Sequence, residues 1–318
     1  MKKPIVFMFS GQGSQYYHMG KELFDHNMIF REWMIRQDEI LTHLIGESVI
    51  DKIYDPQMKV TDVFDQTLFT HPAIFMVEYA IAKVIAHIGI APEYVLGASL
   101  GEFAAATTSD VIALEDALKA VVKQAEHLEM FCRGGRMLAI LHDINLFYNE
   151  RYIFERSELA ALNYESHFVI AGETVNIEKI AAFLGQKKIM FQKLPVSFAF
   201  HSQFVSQAER PYKAFLKNIT ISHPKISFGS SATGNIIEKI SNDYFWDIVF
   251  KPIKFANVVR ELEKRGNNIY LDLGPSGTLA ALTKFNLASG SDSEVYSILT
   301  PYKRDLINLE KIKKIENS

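Results

Sequence analysis

The sequence predicts an α/β fold: one large domain built around a parallel sheet, with a small ferredoxin-like α+β unit inserted into it. Three observations carry that reading. Residues 4–9 form a continuous apolar run with β-branched and aromatic members, closed by Ser10-Gly11-Gln12-Gly13, the profile of a strand buried on both faces. Residues 94–107 pass through a short strand-like piece, a Gly-flanked turn and an Ala-rich helical segment. Between residues 133 and 196 the pattern changes to a compact β-α-β-β-α-β order. The expected division is therefore 1–132 with 197–318 for the large domain and 133–196 for the insert.

Each element follows in order. After the first strand, residues 73–88 (Ala73-Ile74-Phe75-Met76-Val77-Glu78-Tyr79-Ala80 onward) suit a helix. Tyr94-Val95-Leu96 suits a strand, Gly97-Ala98-Ser99-Leu100-Gly101 a sharp turn, and 102–107 the helix after it. Over 114–130 a helix places Leu114, Ala117, Leu118, Val121, Val122, Ala125 and Leu128 on one face, with Lys119, Lys123 and Glu126 opposite. Gln124, three residues past Val121, falls at the margin of the apolar face, where it can reach a cleft without entering the core. In the insert, 136–141, 159–163, 167–171 and 189–193 suit strands, 143–150 a poorly defined helix or loop, and 175–184 an amphipathic helix. After Pro195 the large domain resumes: a buried strand at 269–273, the turn Gly274-Pro275-Ser276-Gly277 into another helix, and an amphipathic terminal helix over 306–316. There is no internal repeat and no low-complexity linker.

Composition bounds the function. The chain has 318 residues, of which 48% are apolar and 22% charged, values of an ordinary globular protein with a sizeable core. A net charge of −3 without a basic stripe argues against a nucleic-acid binder. The single cysteine, Cys132, excludes an intrachain disulfide and a Cys-built zinc site, fits a reducing cytosol, and is expected to be a small core-facing residue. The run Ile5-Val6-Phe7-Met8-Phe9 behind Met1-Lys2-Lys3-Pro4 is too short for a signal peptide, and no apolar stretch of membrane-spanning length is expected. The expected location is cytoplasmic.

The chemistry centres on Gly97-Ala98-Ser99-Leu100-Gly101. A serine hydroxyl is a weak nucleophile until a base takes its proton and donors stabilise the oxyanion that forms. Glycines on either side let the chain turn tightly enough to expose the serine at a helix start, with the next N–H, that of Leu100, aimed at the developing charge. The same spacing also fits a Gly-Ser turn that caps a helix. A second donor has to come from another loop, and Ser10-Gly11-Gln12-Gly13-Ser14-Gln15 can supply one from a Gly-rich turn. That run lacks the features of a P-loop or a dinucleotide fingerprint, which argues against a nucleotide site. His201, in Phe198-Ala199-Phe200-His201-Ser202, is the candidate base; His18, His26, His43, His87, His127, His142 and His223 are read as structural.

Taken together, these motifs resemble the malonyl-CoA:acyl-carrier-protein transacylases and the acyltransferase domains of polyketide synthases, over nearly the whole chain. Gly11-Gln12-Gly13-Ser14-Gln15 resembles the family's GQGSQ, Gly97-Ala98-Ser99-Leu100-Gly101-Glu102 its GHSxGE and Ala199-Phe200-His201 its AFH element; Val169-Ile170-Ala171-Gly172 and Gly274-Pro275-Ser276-Gly277 match in order. The resemblance implies an α/β-hydrolase-like large domain, a Ser99–His201 dyad and an oxyanion hole from the backbone N–H groups of Gln12 and Leu100. It also implies that Phe200 bears on selectivity and that a backbone carbonyl near Pro252-Ile253-Lys254 orients the histidine. The partner implied is an acyl carrier protein or acyl-CoA; coenzyme A or phosphopantetheine enters only as part of the substrate, with no other cofactor, no metal, no nucleic acid and no membrane.

Two departures set the expected direction of the chemistry. The position where malonyl-specific members carry an arginine for the malonate carboxylate matches Gln124 here. Removing one partner of a partly buried charge-assisted pair costs about 3–5 kcal/mol, and at about 1.4 kcal/mol per tenfold even the lower value exceeds a hundredfold. The same change removes a cation that would sit unpaired beside an uncharged acyl chain. Arg133 and Arg136 fall beyond the helix and are expected to point elsewhere. Ala98 stands where the family usually has histidine, leaving a less polar, roomier pocket. Both changes resemble the free-standing acyl hydrolases of trans-acyltransferase polyketide synthases, which clear stalled acyl chains. The alternatives are a malonyl or other acyl transferase that loads carrier proteins and, from another class, an inactive docking module. An ordinary esterase is disfavoured, because the Gln12 motif and the insert have no role there.

Overall fold

The computed structural model describes residues 3–316; Met1, Lys2, Asn317 and Ser318, with the amino-terminal part of the signal-peptide reading, lie outside the described residues. Among the described residues ten strands form two sheets: β1 (Ile5–Phe9), β2 (Tyr94–Gly97), β3 (Gly135–Ile140), β4 (Glu158–Tyr164), β5 (His167–Glu173), β6 (Phe191–Lys193), β7 (Ser227–Ser230), β8 (Asn235–Ile237), β9 (Ile269–Asp272) and β10 (Glu294–Ser297).

The larger sheet has the order β10-β9-β1-β2-β7-β8. It is parallel from β10 to β7, as expected, and β8 adds an antiparallel edge on β7. A tight connection from Ser230 to Asn235 reverses the chain, which needs no crossover helix. The central strand β1 is buried along its whole length. Ile5, Phe7 and Phe9 face one helical layer, while Val6 and Met8 join Leu96, Phe255, Val258 and Leu279 on the other. That two-sided burial is why the run is continuous rather than alternating.

The smaller sheet has the order β4-β5-β3-β6 with every pair antiparallel, the ferredoxin-like arrangement expected. One face carries Leu138, Ile140, Phe168 and Ile170 against Ile177, Ile180 and Leu184 of the helix Thr174–Gln186. The opposite face presents Met137, Ala139, Ala161 and Val169 to the large domain.

Two expectations are corrected in the helix Thr67–His87. It starts six residues before the expected 73, because the Gln66 carbonyl already accepts the N–H groups of Phe69 and Thr70, and Pro72 is taken inside. It is also, by length and composition, apolar enough to cross a bilayer, contrary to the expectation that no such stretch exists; 89% of that window is buried inside the protein. A helix apolar all round is the signature of a core helix as much as of a span. Cys132 is half-buried, with its thiol donating to the Val205 carbonyl at 3.4 Å.

Candidate active site

Ser99 sits between β2 and the helix Gly101–Thr108, at the carboxyl ends of the parallel strands where open α/β sheets place their clefts. The turn is tight enough that side chains would not fit beside it. A Cβ at Gly97 would lie 2.4 Å from Glu102 Cα, and one at Gly101 would lie 2.1 Å from the Phe9 carbonyl oxygen. Ser99 itself takes φ 55°, a left-handed conformation that costs a non-glycine residue about 1–2 kcal/mol.

The Ser99 hydroxyl lies 2.8 Å from His201 Nε2, and His201 Nδ1 lies 2.9 Å from the Lys251 carbonyl oxygen. A carbonyl only accepts, so Nδ1 carries the proton and Nε2 offers its lone pair to the serine hydroxyl. His201 is 3% exposed, and burial pulls its pKa down to about 4, partly offset by the bond to Lys251. The imidazole is therefore neutral at pH 7, the form a general base needs. The orienting carbonyl is that of Lys251, which adjoins the stretch Pro252-Ile253-Lys254 near which it was expected. Lys251 is the cap of the helix Tyr244–Phe250, and its extended backbone (ψ 146°) turns its carbonyl away from the helix axis.

The N–H groups of Gln12 and Leu100 find no acceptor among the described residues. The two loops adjoin at Gly11, where a Cβ would lie 2.8 Å from Ser99 Cβ and 3.3 Å from Leu100 N. Unpaired N–H groups on loops beside a serine are the kind of donor that an oxyanion hole requires.

Buried carboxyls brace both loops. Glu78, fully enclosed, accepts from Ser10 N at 2.6 Å and Ser10 Oγ at 2.9 Å, anchoring the strand end that leads into Gly11-Gln12. Burial, with Asp272 nearby, pushes its pKa well above the ordinary carboxylate range. Glu102 accepts from Ser231 Oγ and Ala232 N at 2.9 Å each, tying the elbow helix to the turn after β7; burial pushes its pKa up to about 8. The Gln12 side chain donates to Thr70 Oγ1 at 2.8 Å, and Gln15 donates to the carbonyls of Phe64 at 2.8 Å and Pro195 at 3.1 Å.

Ser99 and His201 open into a cavity of about 230 Å³ between the two sheets. The small sheet contributes Met137, Ala139, Ala161, Val169, Gln192 and Leu194 to its wall. Across from them stand Phe200, Ile253, Phe255, Leu279 and Leu282, with Asn163, His167 and Thr278 adding polar groups. Burial lowers the pKa of His167, and among the described residues no lysine or arginine lines the cavity.

Of the residues singled out in the sequence, Gln12, Ala98, Ser99, Phe200 and His201 all line this cavity, and Leu100 adjoins it through its N–H. Gln124 does not. It is 3% exposed, beside the Tyr212 hydroxyl, with its Nε2 unpaired, so the expectation that it reaches the cleft is corrected. An amide side chain on this face is short enough to stay between helices, where Tyr212 donates to the Ala120 carbonyl at 3.0 Å. Arg136 donates to the Val196 carbonyl at 2.9 Å and Arg133 lines a different cavity, so neither replaces the missing cation. Sequence reasoning passed over Asn163, His167 and the Lys251 carbonyl. His167 opens the strand that carries Val169-Ile170-Ala171-Gly172, and the period-two alternation from Val169 was a usable signal.

Comparisons with known proteins show the family. A family model described as "Acyl transferase domain" matches residues 6–318. The chain is 50% identical over 312 residues to the polyketide biosynthesis acyltransferase homolog BaeD of Bacillus velezensis, covering 98% of this chain and 96% of that one. It is 47% identical to the polyketide biosynthesis acyltransferase homolog PksD of Bacillus subtilis with the same coverage. Among solved structures, the acyltransferase domain from the second module of the salinomycin polyketide synthase superposes with a TM-score of 0.86 at 26% identity, over 98% of this chain and 72% of that one. The chain belongs to the acyl transferase domain family.

Proposed function

We propose that this protein is a serine thioester hydrolase of polyketide biosynthesis that removes uncharged, monocarboxylic acyl groups from acyl carrier proteins. The observation that carries the reading is the cavity lining, which offers hydrogen-bonding groups and apolar wall but no lysine or arginine. A free malonyl carboxylate there would be buried without a cation, at a cost of several kcal/mol. The names of the Bacillus relatives support the polyketide setting.

In the proposed cycle, His201 Nε2 takes the Ser99 proton as Oγ attacks the thioester carbonyl. The Gln12 and Leu100 N–H groups receive the oxyanion. The C–S bond breaks, and the imidazolium returns the proton to the departing thiolate, leaving acyl-Ser99. Water, deprotonated by the same imidazole, attacks the ester; the Ser99 oxygen leaves, is reprotonated, and the free acid departs. Coenzyme A or phosphopantetheine enters only as the substrate's leaving group. Transfer of the acyl group to a second carrier thiol shares the first half of this cycle, and the word acyltransferase in the relatives' names favours it as the second reading.

The test incubates the protein with acetyl-, butyryl- and malonyl-loaded carrier protein, and separately with malonyl-CoA, following Ser99 by intact-mass spectrometry. Acyl-Ser99 that turns over to free acetate and butyrate is expected. Rapid malonylation from malonyl-CoA and passage to carrier protein, with no acetyl or butyryl release, would sink the hydrolase reading. Gln124→Arg should raise malonyl occupancy of Ser99 by about tenfold or more, since the longer guanidinium side chain outreaches the enclosed amide. No gain would show that selectivity is set elsewhere.

A further inference from the structure

The bond that orients His201 comes from a segment that is itself held by the small sheet. Two residues after Lys251, Ile253 forms a parallel bridge with Ala161 of β4. Ile253 N donates to the Ala160 carbonyl at 2.8 Å, and Leu162 N donates to the Ile253 carbonyl at 2.9 Å. β4 is the edge strand of its sheet, so these groups point away from β5 and are spent on the large domain. A second tie lies on the other side of the histidine: Gln203 N donates to Glu158 Oε2 at 3.0 Å, and Glu158 is the first residue of β4. Between the two ties His201 is itself constrained, with φ 60° and its backbone N–H on the Val249 carbonyl at 2.9 Å. Ala161 and Ile253 both line the Ser99 cavity.

We propose that β4 is the positioning strand of the dyad: its ties to Ile253 and Gln203 hold the Lys251 carbonyl and the His201 loop in register, so the small sheet maintains the histidine tautomer as well as walling the cavity. The proposal rests on the reading of His201 as the base but not on which acyl group is processed. A displacement of about 1 Å at a catalytic group can cost a hundredfold, so loosening this register should be visible in the chemistry.

The test uses Leu162→Pro, which deletes one cross-domain N–H while sparing the β4–β5 pairing that this N–H does not serve, and Glu158→Ala, which removes only the tie to Gln203. The readouts are the nitrogen-15 resonances of the His201 ring and the rate at which a fluorophosphonate labels Ser99. Neither depends on the natural substrate, so failure of the hydrolase reading leaves both interpretable. The parent should show an Nδ1–H tautomer. Leu162→Pro should shift the ring towards mixed tautomers and slow labelling by about tenfold or more, with Glu158→Ala slowing it by about threefold. Labelling within twofold of the parent and an unchanged tautomer in folded Leu162→Pro would overturn the proposal. Should that variant not fold, parent-like labelling and tautomer in Glu158→Ala would overturn it equally.

Discussion

The two sides of the cavity are built on opposite principles. On the nucleophile side, Ser99 and the Gln12 loop are held by left-handed backbone, close-approach glycines and buried carboxyls that accept from Ser10, Ser231 and Ala232. On the facing side the small sheet offers short apolar side chains, Ala139, Ala161 and Val169, at alternate positions of antiparallel strands. The first side is over-determined, so the reacting atoms have one arrangement. The second can change in volume residue by residue without disturbing the hydrogen bonds. Chemistry and selection are thereby separated in space, and β4 joins them through its bridge to Ile253 and the bond from Gln203 to Glu158.

The separation predicts a ranking of effects. His201→Ala, on the rigid side, should lower Ser99 acylation by about 10²–10⁴-fold while leaving the melting temperature nearly unchanged. In the parent, the acylation rate should stay level from pH 8 down to about 5 and fall by half near pH 4, where the buried imidazole gains its proton; a midpoint near 6.5 would place His201 in a wetter site than the structure describes.

Ala139→Leu, on the facing wall but on β3 and away from the bridge to Ile253, should reduce butyryl turnover by about tenfold relative to acetyl, with fluorophosphonate labelling retained, because added methylenes shorten the cavity rather than displace the dyad. Equal losses on both acyl groups would break the division between the two sides.

The smallest effect concerns stability. Glu102 keeps its proton to about pH 8 when folded but loses it near the ordinary carboxylate value when unfolded. The folded state therefore binds more protons between those values, and stability falls as pH rises through them. Glu102→Gln should flatten this fall, so that the variant loses less melting temperature than the parent between pH 5 and pH 8.5. A parallel fall in both proteins would place the ionisation elsewhere.

How much of this was legible in the sequence follows the same division. The rigid side is encoded in short motifs: a Gly-x-Ser-x-Gly run between a strand and a helix has few ways to fold, so Ser99 could be named from it, while the pairing with His201 and the Gln12 donor came from the resemblance of the whole motif set to a known family. The facing wall is encoded by contacts between distant segments. Nothing near Ile253 announces that it meets Ala161, and the residues around Lys251 do not single out its carbonyl from its neighbours' as the one facing His201. Gln124 failed for a related reason. Helical periodicity placed it correctly at the edge of the apolar face, but which neighbour closes over that edge depends on Tyr212, far along the chain. The antiparallel β8 was missed because three residues at a sheet edge leave too short a pattern to read.

The chain passes into and out of the small sheet through adjoining strands: Gly135 N donates to the Ser197 carbonyl at 3.0 Å and Arg136 to that of Val196 at 2.9 Å. Two neighbouring cut points make this unit a natural cassette for recombination between relatives, whose exchange would carry Ala139, Ala161, Val169 and Leu194 in one step. Such a graft leaves Ile253 behind in the recipient. Chimeras of this family should thus succeed or fail on a residue outside the exchanged segment, according to whether the recipient's own chain can complete the bridge to the incoming β4.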